Sequence, residues 1–187
     1  MFRFGCIFVV PAFRASAVYL FLNARKYNNN MPELSPRIRD FQREDLEVLC
    51  EIDRICFPED IAFSRAELIF YLNHPKSIAR VAEGPGRILG FVLARVESPV
   101  SAHVITLDVV PDVRQRRIGS ALMNNLHREF EKQNIGVAVL EVGTGNLAAQ
   151  HLYEKLQYRY LETISGYYHG REDAFRMARI FKTPLRT

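Results

Sequence analysis

Cysteine is scarce. Cys6, Cys50 and Cys56 are the only three in 187 residues, an odd number with no C-x-x-C pair. That argues against a disulfide framework or a zinc site, so no metal is expected, and it fits a reducing cytoplasm. Long apolar runs are also missing. Phe4–Val10 is interrupted by Pro11 and Arg14, and Ala15–Leu22 is no longer. Neither approaches the roughly 20 residues that span a bilayer, so no membrane partner is expected. Ala15-Ser16-Ala17 mimics a signal-peptidase site, but the apolar stretch continues past it, which is the wrong layout for secretion. Repeats and low-complexity tracts are absent.

Acidic residues are missing from one region only. Residues 1–30 hold Arg3, Arg14, Arg25 and Lys26 and no Asp or Glu. The remainder of the chain is formally neutral, with 21 basic and 21 acidic residues, although the whole carries +4. The excess charge is therefore no sign of a nucleic-acid partner, which would need a basic face on the folded domain. Residues 1–30 read as an N-terminal extension, with Tyr27-Asn28-Asn29-Asn30 as a linker and Met31 as a candidate true start. A transit peptide or a partner-binding helix is the alternative. Residues 31–187 read as one domain, and the whole chain, with 48% hydrophobic and 25% charged residues, is ordinary for a soluble globular protein.

What the domain does contain is a sequence of strand and helix signals. Arg37–Phe41 reads as a short strand. Leu46, Leu49, Ile52 and Cys56 mark an amphipathic helix ending near Phe57-Pro58. Ser64 with Glu67 is a capping box for a second helix. Strands over 77–83 and 87–95 flank the turn Gly84-Pro85-Gly86. A strand over 103–110, a helix over 119–133, a strand over 137–142 and a helix over 146–156 follow. Two strands, 158–164 and 173–180, close the set around His169-Gly170. A meander followed by β-α-β crossovers predicts an α/β (α+β) fold, a mixed sheet of about seven strands with helices on both faces.

The organising stretch is Val109 to Met123. A strand end gives way at Pro111 to a basic turn, Arg114-Gln115-Arg116-Arg117, and then to the helix opened by Ile118-Gly119-Ser120. Helix N-termini present unpaired N–H groups and a positive dipole end, and Gly119 allows close backbone approach. Three arginines add charge, so the turn suits a phosphate or pyrophosphate. Elsewhere, Glu141 sits alone in the apolar run Val137–Val142, where a carboxylate is costly to bury without a partner. It either faces a wet cleft or forms an ion pair.

These motifs resemble the GNAT superfamily of N-acetyltransferases. Arg114-Gln115-Arg116-Arg117-Ile118-Gly119 resembles the pattern R/Q-x-x-G-x-G/A, with Arg117 in place of the middle glycine. Leu140-Glu141-Val142, Asn146, and Leu152-Tyr153-Glu154-Lys155-Leu156 resemble the branch of RimI and the protein N-terminal acetyltransferases. So do Gly166-Tyr167-Tyr168 and Glu172-Asp173-Ala174 with Met177. The resemblance implies an acetyl-CoA-dependent N-acetyltransferase, cytoplasmic, acting as a monomer or homodimer on an α-amine, most simply a protein N-terminus. A small amine is the alternative acceptor, and a non-catalytic acyl-CoA-binding module is the rival from another class.

It also implies roles. Leu107, Val109, Arg114 to Ser120, Asn146 and Tyr153 bind acetyl-CoA. Glu141 is the general base, its pKa expected to rise on desolvation. Tyr153 is the acid for the leaving thiolate, and His103 a second base or water-holder. A backbone N–H near Val109, where the central strands splay, meets the oxyanion. Tyr167 and Tyr168, on the loop of the last hairpin, and Phe57 and Pro58 opposite them wall a peptide groove. Gly143, Gly145 and Gln157-Tyr158 depart from that branch, which has arginine, a small polar residue and Gly-Phe there.

Overall fold

The computed structural model describes residues 36–181, so the expectations for residues 1–30 and Met31 lie outside the described residues. Seven strands form one mixed sheet in the order β1-β2-β3-β4-β5-β7-β6. They are β1 (Arg37–Asp40), β2 (Ser77–Gly84), β3 (Arg87–Ser98), β4 (Ser101–Val109), β5 (Val137–Gly143), β6 (Arg159–Tyr168) and β7 (Glu172–Ile180). The helices are α1 (Leu46–Cys56), α2 (Arg65–Leu72), α3 (Ile118–Lys132) and α4 (Leu147–Lys155).

Local chemistry explains the helix starts. At α2, Ser64 accepts from the Glu67 N–H while the Glu67 side chain accepts from the Ser64 N–H, the expected capping box. At α4, Asn146 Oδ1 accepts from the Ala149 N–H at 3.1 Å. Helices lie on both faces of the sheet. Cys56 and Asp53 of α1 approach β4 on the side of Asp108. Leu107 and Val109, which alternate with Asp108, lie toward α3 and α4 near Gly119 and Leu152. The core between these layers includes Phe91, Leu93, Phe130 and Tyr158, all fully buried. Each such aliphatic or aromatic group contributes on the order of 1.5–3 kcal/mol.

Two features place the site. The first is a β-bulge. Leu93 pairs with Thr106 and Ala94 with Val104, so the pairing of β3 with β4 skips Ile105. A bulge bends the strand that carries it and increases its twist. The second feature is the outcome on the other edge. β4 and β5 run parallel but pair only through Ser101–His103 and Val137–Val139. Beyond that point they part, while β5 stays paired with β7 along Val137–Gly143. The result is a V-shaped opening with its crotch at His103 and Val139.

The last hairpin differs from expectation. β6 continues to Tyr168, so Tyr167 and Tyr168 lie at a strand end and not on the connecting loop. Ile164 pairs with Ala174 and Tyr168 with Glu172, and the irregular stretch between them contains Gly166 at φ +62°. That left-handed residue re-aims the strand and keeps the two tyrosines beside β7.

Candidate active site

Glu141 is two residues past the last β4–β5 pair, on the β5 arm of the V. It is almost wholly buried, as is His103 at the end of the paired segment of β4. His103 Nε2 and Glu141 Oε2 are 2.7 Å apart. Tyr167 donates to the same oxygen at 3.3 Å. Arg176 of β7, directly opposite Glu141 in the register, donates from Nε to Oε1 at 2.8 Å. Three donors on one carboxylate offset the several kcal/mol that burying an isolated ion costs.

This corrects the expected pKa. Burial does push the Glu141 carboxyl up. The hydrogen bonds and charges of His103 and of Arg176 outweigh it and hold the group below its ordinary range. Glu141 is thus an ionised acceptor with its geometry fixed. Of the two readings of a lone carboxylate in this strand, wet cleft or ion pair, the structure shows the ion pair.

The second half of the site is a cleft of about 410 Å³ between the β4 arm, the N-terminal end of α3 and one side of α4. Leu107, Val109, Arg114, Gln115, Arg117, Ile118, Gly119 and Ser120 line it, joined by His151, Leu152 and Lys155 from α4. Gln115 and Arg117 are both left-handed, at φ +63° and +61°. Arg117 therefore adopts the conformation that glycine supplies in the family pattern, at a strain of roughly 1–2 kcal/mol. The turn ends with Arg117 as the N-cap residue of α3, with no side-chain cap. The cleft floor is held from behind, because the Val109 carbonyl accepts from Arg114 Nε at 3.0 Å and from Cys56 Sγ at 3.4 Å.

Acetyl-CoA fits these residues on two observations. The first turn of α3 opens into the cleft without a side-chain cap, which leaves its N–H groups for an anion. Asn146 is buried, and its Nδ2 has no hydrogen-bond partner among the described residues while its Oδ1 caps α4. A pantetheine carbonyl is a suitable acceptor for such a donor.

The remaining expected site residues are spread more widely. Arg116, Asn146 and Tyr153 are not among the cleft-lining residues. Tyr153 is buried on α4 with its ring edge-on to Tyr158 at 5.7 Å. Tyr167 and Tyr168 pack edge-on at 4.9 Å. Phe57 is buried in the core as the C-cap residue of α1, whereas Pro58 is exposed. From the tip of the β6–β7 turn, His169 Nε2 meets the Asp60 carbonyl at 2.9 Å and Arg171 bonds the Asp60 carboxylate at 2.7 Å. The two sides of the acceptor region are thus tied together. Sequence reasoning missed Arg176, Arg171 and Asp60, since their partners depend on strand register and loop contacts.

Residues 46–158 match the acetyltransferase (GNAT) family model. An N-alpha-acetyltransferase of Sulfurisphaera tokodaii is 29% identical over 76% of this chain and 91% of its own length. An uncharacterized N-acetyltransferase of Methanocaldococcus jannaschii is 33% identical over 75% of this chain and 88% of its own. The crystal structure of the ribosomal-protein-S18-alanine N-acetyltransferase of Escherichia coli superimposes with a TM-score of 0.72 at 25% identity. That match covers 81% of this chain and 99% of that one.

Proposed function

Since the chain belongs to the GNAT acetyltransferase family, we propose that it moves acetyl from acetyl-CoA to an α-amino group, most simply that of a protein N-terminus. The observation that carries this reading is the Glu141–His103 pair at the crotch of the V, touched by Tyr167. It supports the reading because it holds a proton acceptor beside a tyrosine of β6, on the arm of the V that faces the β4 arm whose Leu107 and Val109 line the cleft.

Amide formation needs a neutral amine, a stabilised oxyanion and a thiolate that leaves. In this reading the Glu141–His103 pair accepts the proton of the ammonium or of the attacking amine, directly or through water. A β4 backbone N–H near Val109 meets the carbonyl oxygen as its charge develops, on the strand edge exposed by the splay. Tyr153 supplies the proton to sulfur. Leu107, Val109, the turn Arg114–Ser120 and Asn146 hold the cofactor. Pro58, with Phe57 beneath it, and Tyr167 with Tyr168 flank the acceptor. The reaction is placed in the cytoplasm, where acetyl-CoA is available.

One observation favours a small amine as acceptor instead. The ties from His169 and Arg171 to Asp60 bridge the acceptor region, and a closed pocket suits a compact substrate better than a peptide. Acetylation of a panel of N-terminal peptides and small amines, read by mass spectrometry, tests both. Peptide products support the first reading, products from small amines alone replace it, and no product with bound acetyl-CoA supports a binding module.

A further inference from the structure

One row of side chains crosses the outer half of the sheet with alternating charge. His103 on β4, Glu141 on β5, Arg176 on β7 and Glu162 on β6 are joined in series at 2.7, 2.8 and 2.5 Å. Strand register builds the row, because Arg176 is the direct partner of Glu141 on one side and of Glu162 on the other. Side-chain exposure climbs along it, from 6% and 2% at His103 and Glu141 to 36% and 56% at Arg176 and Glu162.

An arginine does not give up its proton in a protein, so the row is no proton wire. It can set orientation and charge. Arg176 Nε holds Oε1 of Glu141, which leaves Oε2 to His103 and Tyr167. Glu162 takes the far end of the same guanidinium, so the planar fork is held from both ends. Other charged and titratable groups face the pair from the neighbouring elements. Arg95 of β3 is opposite His103 in the register, but its charge is already met by Glu97, and it lies over the Tyr71 ring of α2. Tyr167 of β6 adds a hydroxyl. Among the described residues, Arg176 is therefore the cation that touches Glu141 from outside the reacting pair.

We infer that Arg176 is a positioning residue. It fixes the Glu141 carboxylate against His103, and its charge sets the pH at which the pair takes up its proton. This rests on the acetyl transfer proposed above for its kinetic test, but not for its structural one. Two measurements separate them. The first is kcat/KM against pH on whichever acceptor the wild type acetylates. The second is the NMR titration of the His103 imidazole, which needs no acceptor.

Arg176→Gln removes the positive charge, so the pair holds its proton more tightly. The acid limb of the profile and the His103 midpoint should both move up by about one pH unit. Arg176→Met keeps the packing of the stem and serves if the Gln variant does not fold. Arg176→Lys restores the charge and should bring both readings at least halfway back. Acetyl-CoA affinity should not change, because Arg176 is outside the cofactor cleft. A lower rate with the limb and the midpoint both unmoved overturns the inference and leaves Arg176 as a sheet-bracing ion pair. If the wild type acetylates nothing, the proposed function falls and the His103 midpoint alone decides.

Discussion

Glu141 and Tyr153 act on opposite halves of the proposed reaction, so their conservative variants should differ. Glu141→Gln keeps shape and hydrogen-bonding capacity but cannot hold the charge. A loss on the order of 10²–10⁴ in rate is expected. The loss should shrink as pH rises, because more of the amine is then already neutral. Tyr153→Phe removes only a hydroxyl from a buried ring, so acetyl-CoA binding should persist while turnover falls. The measurement is kcat/KM against pH, and equal rates for wild type and Glu141→Gln across the range would refute the pair as base. Glu141 was legible because one carboxylate in Val137–Val142 is conspicuous. Its direction of pKa shift was not. That depends first on His103, 38 residues away in sequence, and then on Arg176, 35 residues away, which reaches Glu141 through the β5–β7 register. His103 was visible as a residue of the strand, but not as a direct partner of Glu141.

At the scale of the element, α3 and its turn carry the cofactor half of the site. A Cβ built on Gly119 would stand 3.3 Å from Leu152 Cδ2, 3.7 Å from Leu107 Cδ2 and 3.8 Å from Val109 Cγ2. All three neighbours line the cleft. Gly119→Val would therefore push Leu152 and fill the cleft floor. The variant should fold, and the rise in melting temperature given by acetyl-CoA should shrink or vanish. An undiminished shift would remove the anion turn from the binding account. Strands, helices and caps were readable from apolar spacing and from Ser64, Glu67 and Asn146. The bulge at Ile105 was not, since β-branched residues fit a regular ladder equally well. Two positions where the family pattern has glycine show what the sequence left open. Arg117 and Gln157 both take left-handed φ, +61° and +67°, so the backbone path survives without the residue that usually marks it.

At the scale of the molecule, the packing of α1 against β4 encloses two buried acids, Asp53 and Asp108. Asp53 accepts from the Phe63 N–H at 2.6 Å and Asp108 from the Thr106 hydroxyl at 2.7 Å. Asp53 Oδ1 and Asp108 Oδ2 have no hydrogen-bond partner among the described residues. Burial raises Asp53 from 3.8 to about 7. Burial, and then the Asp53 charge, raises Asp108 well above its usual range. The folded state therefore keeps protons that the unfolded chain releases. That contribution is fully present below about pH 4 and is lost as pH rises through about 7. Asp108→Asn removes one charge and keeps the shape. It should raise the melting temperature most at pH 8, less at pH 5, and leave it nearly unchanged below about pH 4. A gain below pH 4 equal to that at pH 8 would refute the buried-acid account. A chain beginning at Met31 is expected to fold and bind acetyl-CoA like the full one, by thermal shift; an insoluble product would make residues 1–30 part of the domain.

The parting of β4 from β5 leaves its mark on amide exchange. β4 keeps one neighbour, β3, from Ser101 to Val109, but has the second only as far as His103. Alternate backbone N–H groups of a strand point to opposite edges. Past the bulge, slow and fast deuterium uptake should therefore alternate along a single strand at the centre of the sheet, where uniform protection is the rule. The fast amides are those that a bound acyl-pantetheine would cover. Their slowing on addition of acetyl-CoA would chart, residue by residue, how far the thioester reaches toward Glu141.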